Sequence, residues 1–118
     1  MNAIVSVFGF SGLIHDYNNY IIRGDKIYAT RMKKNFSFLR NQIMHFKKQY
    51  PLSLDGQEYL LDLFGVIHQY ESNIDIVTRL KKQNVPIAII EEKVKVDNSP
   101  ALTAISKLKN TTDLMNPE

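Results

Sequence analysis

The sequence predicts an all-α fold: an up-down helical bundle with three long helices and a broken fourth. Three observations lead there. Two long stretches carry apolar residues at alternating spacings of four and three: Met32, Phe36, Leu39, Ile43, Phe46 and Tyr50, then Leu60, Leu63, Ile67, Tyr70, Ile74 and Val77. That heptad-like spacing is the pattern of near-parallel helices packed side by side. The residues that stop or start helices, Gly24, Pro51 and Pro100, fall between the periodic stretches. No alternating β pattern competes, since the apolar run at 87–90 is too short and isolated to build a sheet.

The first helix is expected from about Ile4 to Arg23, with Ile4, Val7, Ile14 and Ile21 as its apolar stripe and Gly24 as its end. Asp25 is placed to cap the second, which runs from about Lys26 to Tyr50 before Pro51 closes it. The third is expected from about Asp55 to Lys82. The fourth is interrupted. Val85 to Val96 carries Ile87, Ile90 and Val94 at helical spacing, and Asp97-Asn98-Ser99-Pro100 then breaks it. Ser99 followed by Pro100 reads as an N-cap and first helical residue. A short helix should follow to about Lys109 with Ala101, Ile105 and Leu108 inward, leaving Asn110 to Glu118 as a polar, frayed tail.

At 118 residues the chain suits one domain with one core. A hydrophobic content of 44% with 23% charged residues is that of a folded protein, not a disordered one. The absence of cysteine removes disulfides, zinc–cysteine sites and thiol catalysis. A net charge of +3 is too mild to argue nucleic-acid binding, and no nucleic-acid motif accompanies it. Charge is instead sorted by helix. Lys26 to Lys48 holds seven basic residues and no acid, whereas Asp55 to Asp75 holds five acids and no base. A short connection makes these helices antiparallel neighbours, and opposite charge along their flanks favours that pairing. Each exposed pair is worth only roughly 0–1 kcal/mol, so it sets register more than stability.

No stretch reaches the roughly 20 apolar residues that span a bilayer. The apolar opening lacks a basic leader and is broken by His15, Asp16 and Asn18, so it does not read as a signal peptide. The first helix begins without a start signal upstream. With the polar tail, this leads us to expect a fragment of a longer protein, residues 1–118 forming one domain of it.

Residues that could do chemistry concentrate on the first helix. Ser11, His15, Asn19 and Arg23 follow one another at intervals of four, and side chains so spaced share one helix face. A polar ridge beside an apolar stripe is either a hydrogen-bonded network or one wall of a pocket. In the second case Phe8 and Tyr20 would be walls, and the donors and cation would suit an anionic or polar small molecule. His15, His45 and His68 lie on three helices without a Glu-x-x-His or His-x-x-x-His pattern, so they read as boundary histidines and no metal is expected. No nucleophile elbow or phosphate loop is present, hence no catalytic residue and no cofactor is expected, and the chain is not expected to be an enzyme. Gly9 and Gly12 suggest close packing of a neighbouring helix.

The run from Gly9 to Gly24, GFSGLIHDYNNYIIRG, resembles a motif of bacterial extracytoplasmic sensor domains. These sit in front of diguanylate cyclase, histidine kinase or chemoreceptor output modules. A second run, VKVDNSPAL from Val94 to Leu102, is similar to one near the end of the same domains. The two motifs stand in the family's order and cover about a quarter of the chain, which departs from the pattern at Ser11 (glycine expected), Asp16 (asparagine) and Asn18 (lysine). The resemblance implies a helical sensor with His15, Asn19, Tyr20 and Arg23 as motif positions. It also implies an unidentified small-molecule ligand, a membrane-anchored full-length protein, and a periplasmic place on an inner-membrane protein. Homodimerisation follows from the mechanism expected of such receptors. A small helical adaptor that binds a partner protein is the alternative reading.

Overall fold

The computed structural model describes residues 12–49 and 52–115, with side chains described as far as residue 108. Everything described is helix or short connection, with no strand among the described residues. The elements are α1 (Leu13–Arg23), α2 (Lys26–Gln49), α3 (Leu54–Lys82), α4 (Ile87–Lys93) and α5 (Ser99–Met115). The expected beginning of the first helix, with Ile4, Val7, Phe8 and Gly9, lies outside the described residues, as do Tyr50 and Pro51.

The helix ends follow from local chemistry. Gly24 takes a left-handed conformation (φ 68°) and donates its N–H to the Tyr20 carbonyl at 2.8 Å, closing α1. Asp25 Oδ1 accepts the Ile27 N–H at 3.1 Å, so it caps α2 as its sequence position predicts. Ser53 Oγ accepts the Gly56 N–H at 3.2 Å and starts α3, a cap worth about 1 kcal/mol. At the other end of α3, Asn84 adopts a positive φ of 57°. Its N–H reaches Lys81 O at 3.1 Å, and the Val85 N–H reaches Leu80 O at 3.1 Å. This is a Schellman closure with asparagine in the usual glycine place. Pro86 follows directly.

Two expectations about the last segment are corrected. The cap of α5 comes from Asp97, whose Oδ1 accepts the Ser99 N–H at 2.9 Å, rather than from the Ser99 hydroxyl. The Asn98 carbonyl then accepts the first helical bond, from the Leu102 N–H at 3.0 Å. The helix also runs on to Met115 instead of ending near Lys109. No glycine or proline intervenes before Pro117, and the residue ahead of a proline disfavours helix.

The core stripes of α2 and α3 are buried as their periodicity predicts: Met32, Phe36, Leu39, Ile43 and Phe46 on one, Leu60, Leu63, Ile67, Tyr70, Ile74 and Val77 on the other. Removing one such side chain to alanine costs about 2–5 kcal/mol. The face of α1 is turned from expectation. Ile21 is buried as its stripe predicts, but Leu13, Tyr17 and Tyr20 are buried with it, while Ile14 is only half-buried. Tyrosines stand where an aliphatic stripe was expected. They bury large apolar rings while their hydroxyls find partners.

α1 runs parallel to α3, since Tyr17 meets Tyr70, Tyr20 meets Thr78, and Lys81 Nζ donates to the Ile22 carbonyl at 2.9 Å. Of the opposite charges expected to pair between α2 and α3, one pair forms. Arg40 grips Glu71 with two bonds, Nη1–Oε2 at 2.9 Å and Nη2–Oε1 at 2.6 Å. Arg31 turns instead to α1, 3.3 Å from the buried Asp16. The lysines of α2 are exposed.

Candidate functional site

Among the described residues of the polar ridge of α1, His15, Asn19 and Arg23 line neither of the two hollows described below. Ser11 lies outside the described residues. His15 is exposed and Asn19 half-buried, and they serve each other: the Asn19 amide donates to the His15 carbonyl at 3.0 Å and lies 3.1 Å from its Nε2. Arg23 is exposed and has no ion pair among the described residues. Tyr20 points the other way, into the core, where its hydroxyl lies 2.5 Å from Thr78 Oγ1. Thr78 spends its own proton on the Ile74 carbonyl at 2.9 Å, so Tyr20 is the donor of the pair. The structure thus brings His15 and Asn19 together and leaves Tyr20 and Arg23 apart from them.

A different side of α1 does face a cleft. It lies between α1, α4 and the strap of residues 94–98 that joins α4 to α5, and encloses about 570 Å³. Its innermost residues are Tyr17, Ile21, Tyr70 and Val94, all buried. Ile14, Val96 and Asn98 flank them, and Asn18, Ile22, Glu91, Glu92 and Lys95 stand at the exposed rim. A second hollow, about 440 Å³, is lined only from the end of α3 and its cap residue Gln83, so no second element closes over it.

The strap is held from below by side chains. Tyr17 donates its hydroxyl to the Val94 carbonyl, and Asn73 Nδ2 donates to the same oxygen at 3.2 Å. Val94 is the C-cap of α4, its N–H donating to the Ile90 carbonyl at 3.0 Å, and its own carbonyl is one of the acceptors that a helix end leaves without an internal partner. Tyr70 donates to Asn98 Oδ1. The rings of Tyr17 and Tyr70 meet edge to face with centroids 4.7 Å apart at 84°, a favoured aromatic geometry. Burial pushes the Tyr17 hydroxyl up to about 12, and burial also raises Tyr70. Both stay protonated at neutral pH and act as donors. At the strap's far end, the Ser99 N–H holds the Asp97 carboxyl below its usual value.

The sequence pattern hides these residues. Tyr70 sits in the core stripe of α3, and Tyr17 shares a motif with the more conspicuous His15. The available signal is that a tyrosine at a buried helical position needs a partner for its hydroxyl. Tyr17, Tyr20 and Tyr70 each announce a polar group opposite. Chemically, the described site can bind and be displaced. His15, His45 and His68 are exposed on three separate helices, and no group of three or more His, Asp or Glu among the described residues could hold a metal ion.

Comparison with known proteins gives no match: no family model fits the sequence, and no curated protein or solved structure matches it.

Proposed function

We propose that this chain is the extracytoplasmic input domain of a membrane-bound bacterial signal-transduction protein, sensing a small molecule or other stimulus for a diguanylate cyclase, histidine kinase or chemoreceptor output. The observation that carries the reading is a meeting of distant segments. The two stretches that resemble sensor-domain motifs face each other across one cleft, joined by the bond from Tyr17 to the Val94 carbonyl, 77 positions along the chain. In this reading the finer architecture is an up-down bundle in which α4 and α5 are the two halves of a broken fourth helix. The sensing surface is the cleft side of α1, with His15, Asn19 and Arg23 outside it.

The mechanism is a shift of population between packings. A guest that prefers one setting of the strap against α1 and α3 biases the molecule toward it by its difference in affinity. Small shifts of packed helices, or of one protomer against another in a homodimer, carry such a change over a distance. Among the described residues no helix is long and apolar enough to cross a membrane, so the anchor of this reading is not among them.

The test has two arms. Apolar spans of about 20 residues should flank this region in the full-length protein. In that protein, Ile21→Trp, which fills the cleft, should change the output, while His15→Ala and Arg23→Ala should leave it unaltered. Missing spans would favour a small helical adaptor, for which the exposed Leu54 (79%) and Leu61 (67%) on the outer side of α3 would be contacts.

A further inference from the structure

We infer that the cleft takes a free amino acid with an apolar side chain. This rests on the reading of the cleft as the sensing site and gives that site its ligand class. Three charged groups at the rim of the cleft are without an ion-pair partner among the described residues. Glu91 and Lys95 are four residues apart, a spacing that forms an ion pair on a continuous helix. Here α4 ends at Lys93 and the chain turns at Val94, so the pairing geometry is lost. No ion pair joins Glu91, Glu92 or Lys95 to one another or to any other described residue. The rim therefore presents two free carboxylates and one free ammonium, with the exposed amide of Asn18 across from them on α1.

Deeper in, the polar groups are already committed. The Tyr17 hydroxyl and the Asn73 amide both go to the Val94 carbonyl, and the Tyr70 hydroxyl goes to Asn98. The apolar surface a guest can reach is mainly that of the half-buried Ile14 and Val96, with only narrow parts of Ile21 and the tyrosine rings exposed beneath them. A guest must then carry its polar groups at one end and its hydrocarbon at the other. A simple anion meets two carboxylates at the rim. A simple cation leaves Lys95 unanswered. A zwitterion answers both, with its ammonium toward Glu91 and Glu92, its carboxylate toward Lys95 and Asn18, and its side chain inward. Charge-assisted hydrogen bonds of this kind are the stronger ones. The cleft, about 570 Å³, falls within the size range of small-molecule sites and accommodates a leucine- or phenylalanine-sized guest.

The experiment is calorimetric titration of the chain with L-leucine, L-isoleucine and L-phenylalanine. Two leucine analogues each lack one charge: leucinamide, without the carboxylate, and 4-methylpentanoate, without the ammonium. At least one amino acid should bind, and each analogue should be weaker by at least about tenfold. Lys95→Gln should weaken leucine and leave leucinamide unchanged. Glu91→Gln with Glu92→Gln should weaken leucine and leave 4-methylpentanoate unchanged. These residues are exposed, so the variants should fold, and their circular dichroism and melting temperature check it. Absence of amino-acid binding at about 1 mM, or analogues that bind as tightly as leucine, overturns the inference. Neither result touches the input-domain reading, which fails separately if Ile21→Trp leaves the full-length protein's output unchanged.

Discussion

Along α1, Tyr17 and Ile21 are buried against α3 and the strap, whereas His15 and Arg23, each two positions from one of them, stand in solvent. The two sides of one helix teach different lessons about polar groups. On the outer side, the bonds of His15 and Asn19 among the described residues are to each other. On the inner side, the polar atoms of Tyr17 and Tyr20 bond to the strap and to α3, tying distant segments together. The residues that look most like chemistry contribute least to the architecture, and the tyrosines that look like core filling fasten it.

The strongest way to break this contrast is Tyr17→Ala. It removes a buried ring and a strap bond together and should cost about 3–5 kcal/mol in urea unfolding. A loss below about 1 kcal/mol would mean that the strap does not depend on it. Alkaline pH gives the next largest effect. The Tyr17 value is raised from 10.0 to about 12 on folding, so between these values the unfolded chain loses its proton while the folded chain keeps it. Stability present below pH 10 should therefore fall as pH rises toward 12, by up to about 3 kcal/mol at 1.4 kcal/mol per unit. Tyr17→Phe should flatten that part of a stability profile followed by circular dichroism.

At neutral pH the same Tyr17→Phe change should cost only about 1 kcal/mol, because Asn73 still serves the Val94 carbonyl. Glu71→Gln sharpens the comparison with an ordinary surface pair. Its side chain and that of Arg40 are 41% and 36% exposed, so the loss should stay below about 1 kcal/mol. The bond from Arg40 lowers the Glu71 value. Its contribution is therefore present above the unfolded carboxyl's value and disappears as acid protonates it through the folded one, which an acid titration of the melting temperature would resolve. The smallest effects belong to the ridge. His15→Ala and Arg23→Ala should each lie within about 0.5 kcal/mol of the parent, and a loss as large as that of Tyr17→Phe would erase the distinction between the two sides.

Much of the fold is legible in the sequence because α2 and α3 are long and strongly periodic. Their stripes from Met32 to Phe46 and from Leu60 to Val77 are the buried ones. Gly24 and Asp25 also mark their boundary correctly. α1 is harder to read. One residue turns a helix by about 100°, so taking Ile14 rather than Leu13 and Tyr17 as inward beside Ile21 swings the centre of the face to one side. The cleft escapes for a further reason. Val94 and Asn98 acquire meaning only from Tyr17, Tyr70 and Asn73, which lie between 21 and 77 positions away, and no local pattern encodes such a meeting. The end of α5 escapes because a polar stretch without a helix breaker can remain helical.

Gly24 and Asp25 alone separate α1 from α2, and the glycine is pressed so closely by the Lys81 side chain that an added Cβ would lie 3.2 Å from its Cδ. A corner this short lets neither arm slide without dragging the other. At the other corner, residues 95–98 lie outside the helices, and the strap is moored by Tyr17, Tyr70 and Asn73. The two corners are thus held differently, one by a two-residue turn and the other by three side chains. In the proposed sensing role, a guest in the cleft would act on the side-chain moorings, and through them on the start of α5.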